Sequence, residues 1–342
     1  MPPEVRRGSE KKNTEGRLGP QRSAAYGGRV PKSYTVSARL LAHYRRTARD
    51  LPWRRTRDPY DVLVSEVMLQ QTQASRVTPA FERFVRRFPT LEALAAAPLA
   101  AVLREWSGLG YNRRARDLHR IARAATNGLP STVAGLDALP GVGAYTAGAV
   151  ACFAFGQRVP FADTNIRRVL GRYFLGRPGT NEEAVELDAK AMPSRNADLW
   201  HHALMDLGAT LCKPRAPRCE VCPLNADCRF ARSARGHAGP AAALLRVAAG
   251  GSLRRGARQR EAQRSAAGRH QTPHTAMPLR PAAYRDSDRR IRGAVVKALT
   301  SRDMTVRALE KEIGDERVGR LTDALVADGL VERVGRRVRL PG

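Results

Sequence analysis

Four of the five cysteines lie close together, at Cys212, Cys219, Cys222 and Cys228. In a chain without a secretory signal, such clustering favours a metal centre over disulfide bonds. Four thiolates suit either zinc or an iron–sulfur cluster, and only Cys219 and Cys222 have zinc-knuckle spacing. The fifth, Cys152, stands in the apolar stretch AVACFAF, and we predict that it is a buried core residue.

A carboxylate inside an apolar helix is the second chemical candidate. Glu66 stands in SEVMLQQTQ, flanked by Val62, Leu63, Val67 and Leu69. If this side chain faces a cleft, desolvation would raise its pKa and make it a usable general acid. The alternative is an ordinary solvent-facing helix residue, and the spacing alone does not decide between the two.

A second carboxylate stands where an apolar stretch gives way to a basic helix. In VPFADTNIRRVLGR, Asp163 precedes the predicted helix, so its simplest role is that of an N-cap.

A glycine-rich turn, LPGVGAYTAGAV, leads into another predicted helix. Gly141 and Gly143 allow positive φ and remove Cβ atoms, so that a ligand can approach the backbone closely. Unpaired N–H groups and the helix dipole would make this turn a phosphate site. The alternative is an ordinary turn between two helices.

The balance of charge favours a polyanionic partner. The 342 residues include 60 Lys and Arg against 32 Asp and Glu, which gives a formal net charge of +28. Such a charge favours nucleic acid, although an Arg-rich genome composition is an alternative source. We find no apolar run long enough to span a membrane and no signal peptide, so we expect an intracellular, soluble protein of the cytoplasm or nucleoid.

The elements that must position these residues are helices. Apolar residues recur at helical spacing from Tyr34 to about Leu211, with Asp58 and Thr90 as predicted N-caps. We predict an all-α domain at 34–211, a cysteine loop at 212–232 and a winged-helix-like α+β domain at 286–342. Residues 1–33 are predicted to be a disordered basic tail, and 233–285 a low-complexity linker.

Five stretches together resemble one family. SEVMLQQTQ, GLGY, LPGVGAYTAGAV, FADTNIRRVLGR and MDLGATLC through Cys228 are similar, in this order, to the helix-hairpin-helix DNA glycosylases. The resemblance covers about Ser37 to Phe230 and is strongest to the adenine DNA glycosylase (MutY-type) branch. It implies a two-lobed helical fold. The cysteine spacing C-x6-C-x2-C-x5-C resembles the superfamily's [4Fe–4S] loop, which implies that cofactor on the four clustered cysteines.

The resemblance also implies catalytic roles. Glu66 matches the general acid and water activator, and Asp163 matches the carboxylate that stabilises the oxocarbenium-like sugar. Asn165 matches a polar residue near the catalytic water. Tyr145 stands where strand-cleaving relatives have a lysine, and no lysine occurs between Leu139 and Arg172. A monofunctional glycosylase is therefore expected.

DNA contacts are implied in the same way. Gln71, Thr72 and Tyr111 match residues that wedge into the duplex while the target base is flipped out. The turn Gly141–Gly143, Val142 included, matches the phosphate-binding hairpin. We expect double-stranded DNA with a mispaired base as partner, a monomeric protein, and hand-over to enzymes that process abasic sites.

The C-terminus departs from the family pattern. Adenine glycosylases typically carry a Nudix-like domain that reads 8-oxoguanine, and we find none here. The predicted winged helix, with its helix from Arg317 to Asp328, stands in its place. We expect excision of adenine opposite 8-oxoguanine or guanine. The alternatives are a thymine or uracil mismatch glycosylase and, from another class, a non-catalytic iron–sulfur DNA-binding regulator.

Overall fold

The computed structural model describes residues 33–125, 127–236 and 287–342, all of which belong to one compact unit, Lys32–Gly342. Most of the predicted tail (1–33) and most of the predicted linker (233–285) lie outside the described residues. None of the described helices is both long and apolar enough to cross a membrane.

The N-terminal part of the described chain is helical. Its α-helices are α1 (Ser33–Thr47), α2 (Pro59–Leu69), α3 (Ala74–Arg87), α4 (Leu91–Ala96), α5 (Leu99–Glu105), α6 (Arg113–Ala124), α7 (Val133–Asp137), α8 (Ala144–Phe153), α9 (Thr164–Leu170), α10 (Asn181–Ala191), α11 (Ala197–Thr210) and α12 (Arg229–Gly236). Short 3-10 helices cover Pro52–Arg54 and Cys219–Val221, and a π-helical turn, Gly171–Leu175, follows α9. Helix α12 continues into residues 233–236, which the sequence suggested as linker.

Two helices begin at polar residues whose side chains cap the first backbone N–H groups. Asp58 caps α2 by accepting hydrogen bonds from the backbone N–H groups of Tyr60 and Asp61, and Pro59 occupies the first helical position. Thr90 caps α4 through the N–H of Ala93. Both predicted N-caps are confirmed.

The core of the helical part is closely packed. Trp106 and Trp200 are fully buried, and Cys152 is 1% exposed, as predicted for that thiol. Helix α2 packs on α8, and α9 packs on α11. Helix α8 also contacts α11, and this chain of contacts brings together the segments that carry Glu66 and Asp163, which are far apart in sequence.

Residues 287–342, which we call the C-terminal region, combine helices with a small sheet. The helices are α13 (Asp288–Leu299), α14 (Val306–Ile313) and α15 (Val318–Ala327). The strands β1 (Met304–Thr305), β2 (Glu332–Val334) and β3 (Arg337–Arg339) form an antiparallel sheet in the order β1-β3-β2. Gly335 turns the β2–β3 hairpin with a φ of 58°.

Candidate active site

A cavity of about 870 Å³ opens between α2, α8 and α9. All four residues expected to be catalytic line it: Glu66, Tyr145, Asp163 and Asn165. The cavity is in the size range of a pocket for a small organic ligand. The fold therefore gathers into one site the carboxylates that the sequence could only suggest separately.

Glu66 projects from α2 into this cavity and is only 5% exposed. Burial raises the pKa of its carboxyl to about 7, against the opposing effects of a hydrogen bond from Tyr145 and the charge of Arg54; the charge of Asp163 adds a smaller upward contribution. A carboxyl with this pKa is half protonated near neutrality, which suits a general acid. Of the two interpretations of Glu66, the structure supports the cleft-facing one.

Tyr145 lies in the first turn of α8, next to Glu66. Its hydroxyl hydrogen-bonds to the Glu66 carboxylate, and burial raises its own pKa well above the ordinary value. Its ring meets Phe161 edge-on, with the centroids 5.6 Å apart. The phenol therefore stays neutral, and its hydroxyl donates a hydrogen bond to the Glu66 carboxylate.

Asp163 is the N-cap of α9 and a cavity-lining carboxylate at once. Its Oδ1 accepts hydrogen bonds from the N–H groups of Asn165 (2.8 Å) and Ile166 (2.7 Å), and its Oδ2 accepts one from Asn165 Nδ2 (2.8 Å). Arg168 in turn donates to Asn165 Oδ1 at 2.8 Å. The predicted cap role and the predicted site role therefore coexist, because capping fixes the carboxylate that lines the cavity.

Gly208 on α11 allows Asn165 to pack closely against that helix. The sequence alone did not identify this glycine as part of the site. A Cβ built on Gly208 would lie 2.6 Å from Asn165 Cβ. Its carbonyl also accepts a hydrogen bond from Arg168 at 2.7 Å. The only sequence signal is its place in the stretch MDLGATLC.

A buried arginine also escaped the sequence reasoning. The Arg54 side chain is 8% exposed, lines the cavity, and forms a two-point ion pair with Asp206 at 2.8 and 2.9 Å. Within the described part of the chain, its Nε has no hydrogen-bond partner. Arg49 also binds Asp206, at 2.6 Å. These partners are about 150 residues apart in sequence, so no local pattern could reveal them.

The three expected wedge residues lie at the edge of the cavity. Gln71 and Thr72 line it, and the Tyr111 hydroxyl donates a hydrogen bond to Gln71 Oε1. Gln71 and Tyr111 both have left-handed backbone, with φ of 53° and 50°. This conformation costs free energy in non-glycine residues and is concentrated at functional sites.

Arg114 holds the wedge residues to the end of α2. Its Nη1 donates to the carbonyls of Val67 and Met68 at 2.9 Å each, and also to that of Gln70. Its Nη2 donates to Thr72 Oγ1 (3.2 Å) and to the Gly110 carbonyl (3.0 Å). One side chain therefore fixes both loops relative to the helix that carries Glu66.

The glycine turn joins α7 to α8, as a helix-hairpin-helix requires. Gly141 has a φ of 75°, whereas Gly143 has an extended backbone with a φ of −119° and serves as the N-cap of α8. Of the two glycines that allow positive φ, only Gly141 adopts it. A Cβ added at Gly143 would meet no atom of the described chain within 4 Å, so this position is open to a ligand. Val142, between the two glycines, is buried, with 8% of the residue exposed.

The four clustered cysteines line a second, smaller cavity beside α12. Arg172 Nη1 donates to Cys212 Sγ at 3.4 Å and to the Lys213 carbonyl at 2.7 Å. In the described ranges, no group of three or more His, Cys, Asp or Glu side chains stands close enough to hold a metal ion. The four thiols therefore line one cavity, with a basic side chain beside Cys212, but within the described chain they do not stand at ligating distance from one common ion.

Similarity to known proteins agrees with this geometry. Residues 64–194 match the family described as HhH-GPD superfamily base excision DNA repair protein. The chain is 39% identical over 318 residues to the adenine DNA glycosylase of Mycobacterium tuberculosis (strain CDC 1551 / Oshkosh), an alignment that covers 89% of this chain and 92% of that protein.

The chain belongs to the adenine DNA glycosylase family. It is a DNA glycosylase of base excision repair, and the family expected from the sequence motifs is confirmed.

Two solved structures share the fold of this adenine DNA glycosylase family member. One is a thermostable thymine-DNA glycosylase, with a TM-score of 0.55 and 31% identity, covering 59% of this chain and 97% of that one. The other is a trapped endonuclease III–DNA covalent intermediate, with a TM-score of 0.51 and 26% identity, covering 60% of this chain and 100% of that one. The mycobacterial alignment reaches well beyond the part shared with either structure.

Proposed function

We propose that this enzyme hydrolyses the N-glycosidic bond of adenine mispaired with 8-oxoguanine or guanine, and leaves an abasic site. One observation carries the proposal: Glu66, with a pKa of about 7, and the capped Asp163 line the same cavity. A protonatable acid on the base side and a second carboxylate on the sugar side are what acid-assisted glycosidic cleavage requires.

Glu66 acts first, as the acid. Its proton goes to N7 of the flipped adenine, and the C1′–N9 bond then breaks with its electron pair passing to the base. The base leaves as a neutral molecule, which lowers the barrier. Tyr145 donates to the Glu66 carboxylate, and thereby stabilises the ionised form that the proton transfer creates.

Asp163 acts on the sugar. Its carboxylate faces the positive charge that develops at C1′ and stabilises it, or traps the sugar briefly as an adduct. A water held near Asn165 adds to C1′ and returns a proton to Glu66. The hydrogen bonds that Asp163 receives from the start of α9 keep its carboxylate in place throughout.

Strand cleavage is not part of this reaction. A lyase of the endonuclease III type needs an amine to attack the sugar and form a Schiff base. Tyr145 occupies the corresponding place, and there is no lysine from Leu139 to Arg172. The product is therefore an intact strand with an abasic site, which other enzymes must process.

DNA binding is proposed at the wedge and at the glycine turn. Gln71, Thr72 and Tyr111 enter the duplex, and the backbone of Gly141–Gly143 with the start of α8 binds a phosphate. The charge of +28 supports salt-dependent attraction to DNA. We propose that the enzyme works as a monomer inside the cell, at the nucleoid.

We further propose that Cys212, Cys219, Cys222 and Cys228 hold a [4Fe–4S] cluster. Four thiols around one cavity fit thiolate-only ligation, and Arg172 beside Cys212 offsets the negative charge of the thiolates. The cluster would brace the loop and its exposed basic side chains. Protein purified without air should be brown and contain iron and sulfide; a colourless zinc protein would contradict this proposal.

The C-terminal region is proposed to be a winged-helix domain that contacts DNA. Its elements run helix, short strand, helix, helix and hairpin. In this arrangement α15 would lie in a groove, and Arg336, Arg337 and Arg339 of the hairpin would contact phosphates.

The test is a single-turnover assay on labelled duplexes that carry A opposite 8-oxoguanine, A opposite G, T opposite G, or U opposite G. Alkali added afterwards reveals abasic sites. Cleavage of the A-containing strand only after alkali is the expected result. Cleavage at T or U instead would favour the second candidate, a thymine or uracil mismatch glycosylase, which the 31% identity to the thymine-DNA glycosylase supports.

A further inference from the structure

The C-terminal region docks on helices α5 and α6, beside the wedge. The Asp328 carboxylate binds Arg113 through two hydrogen bonds of 2.7 and 3.0 Å, and its carbonyl accepts a hydrogen bond from Arg116. The backbone of Ala100 donates to the Pro341 carbonyl at 2.8 Å. These contacts fix where α13 stands relative to Tyr111.

Arg289, in the first turn of α13, rests directly on that tyrosine. Its guanidinium carbon is 3.4 Å from the centroid of the Tyr111 ring, and its Nη1 donates to the Tyr111 hydroxyl. Gly110 lies beside the same guanidinium, since a Cβ built there would be 3.6 Å from Arg289 Nη2, an ordinary van der Waals distance. Tyr111 reaches Gln71 through the same hydroxyl, so the three side chains form one continuous group.

We propose that Arg289 is a specificity residue that reads the base opposite the excised adenine. The inference rests on the proposed function, since it assumes that Tyr111 and Gln71 enter the duplex where the adenine is flipped out. The flipped base occupies the cavity that Gln71 lines. The group formed by Gln71, Tyr111 and Arg289 then faces the partner that the adenine has left unpaired.

The chemistry of the side chain points to a purine with a keto oxygen. An arginine held over an aromatic ring by a cation–π contact presents a fork of N–H donors, and such a fork on O6 and N7 is the commonest specific contact to guanine. N7 of 8-oxoguanine carries a hydrogen, so O6 is the acceptor that guanine and 8-oxoguanine share. The contact with Tyr111 holds the guanidinium in place before DNA arrives, which lowers the entropic cost of the contact. In this proposal the C-terminal region contributes a residue at the mismatch.

The test compares the parent enzyme with Arg289→Ala and Arg289→Lys in the single-turnover assay. Adenine is placed opposite 8-oxoguanine, guanine, cytosine, or a tetrahydrofuran that carries no base. Arg302→Ala is the matched control, because it removes an exposed arginine that pairs with Glu312 in the same region. Thermal unfolding of each variant verifies that the C-terminal region remains folded.

Arg289→Ala should slow excision opposite 8-oxoguanine and guanine about tenfold or more, and excision opposite the tetrahydrofuran less than about twofold. Arg289→Lys should behave like Arg289→Ala, because it keeps the charge but loses the planar fork. An equal loss on all four duplexes would mean a phosphate contact and would overturn the inference. If the parent enzyme excises no adenine at all, the proposed function fails instead.

Discussion

The Tyr145 hydroxyl hydrogen-bonds to the Glu66 carboxylate, and so joins α8 to α2 inside the cavity. Two effects thus act on Glu66 in opposite directions: burial raises its pKa, and the hydrogen bond lowers it. Burial is the larger effect, so the pKa stands at about 7. Tyr145 therefore limits the upward shift of the Glu66 pKa.

Replacement of Tyr145 by phenylalanine should move the pH dependence of excision. The proposed acid works in its protonated form, so the parent rate should fall as the pH rises through about 7. Tyr145→Phe removes the hydrogen bond that lowers the pKa of Glu66, and the alkaline limb should shift to higher pH. Single-turnover rates across roughly pH 5.5 to 9 bracket that pKa and measure the shift, with Tyr60→Phe, a buried tyrosine outside the cavity, as control. If the alkaline limb does not move, the hydrogen bond from Tyr145 does not set the pKa of the catalytic acid.

Replacement of Glu66 by glutamine should stabilise the protein at alkaline pH while it removes activity. The folded pKa of about 7 lies above the ordinary 4.5. The unfolded chain therefore ionises first, and the free energy of unfolding of the parent falls as the pH rises from about 4.5 to 7. The advantage of Glu66→Gln should grow across this window by on the order of 3 kcal/mol. Urea unfolding at about pH 5 and about pH 8 tests this, and a constant difference between the two proteins would contradict it.

Replacement of Asp163 by asparagine should separate capping from catalysis. Asparagine caps a helix about as well as aspartate, so α9 and the affinity for duplex DNA should be retained. Excision should fall by at least about 100-fold, because the charge facing the sugar is lost. Asp58→Asn is the matched control, since Asp58 caps α2 in the same way outside the cavity. Normal turnover by Asp163→Asn would remove Asp163 from its role.

Replacement of Tyr145 by lysine should introduce strand cleavage. The new amine would stand in the cavity beside Glu66 and Asp163, where it can attack C1′ and form a Schiff base. Borohydride added during the reaction should then trap a covalent protein–DNA complex, which the parent enzyme does not form. The absence of a trapped complex in active protein would mean that this position does not reach the sugar as in the lyase branch.

Replacement of Gly208 by alanine should displace Asn165. The added methyl group would lie 2.6 Å from Asn165 Cβ and 3.1 Å from its Cα, and backbone cannot yield as a flexible side chain does. We expect a loss of about 1–3 kcal/mol in stability and a marked loss of excision. Gly293→Ala is the control: it lies inside α13, where no described atom would contact its Cβ, and it should gain about 0.5–1 kcal/mol. Similar behaviour of the two variants would refute the close-packing argument.

The features that the sequence predicted well are local ones. The caps at Asp58 and Thr90 are formed with N–H groups two or three residues away, so a short window contains both partners. The turn before α8 is also local, yet the sequence could not tell which glycine takes the left-handed conformation. Only Gly141 does, because the dihedrals depend on how α7 and α8 pack.

The features that escaped prediction join distant parts of the chain. Asp188 is fully buried and accepts hydrogen bonds from Trp200 Nε1 (2.7 Å) and from the backbone N–H of Phe161 (3.2 Å), and it pairs with His201 at 2.8 Å. This network holds the segment just before Asp163. Charged residues in a helix ordinarily suggest a solvent-facing side, and only the packing of α10 against its neighbours reverses that expectation.

Arg114 holds the loops around the site almost entirely through main-chain carbonyls. Apart from the Thr72 hydroxyl, every acceptor it binds is a main-chain carbonyl, which any amino acid can supply. These hydrogen bonds therefore do not depend on which side chains stand at Val67, Met68 and Leu109, all of which are set by packing in the core instead. Position 114 itself must be arginine, because the single ammonium group of a lysine could not bind both loops at once. The geometry of both loops thus depends mainly on the one residue at position 114, with the Thr72 hydroxyl as the side-chain acceptor among its partners.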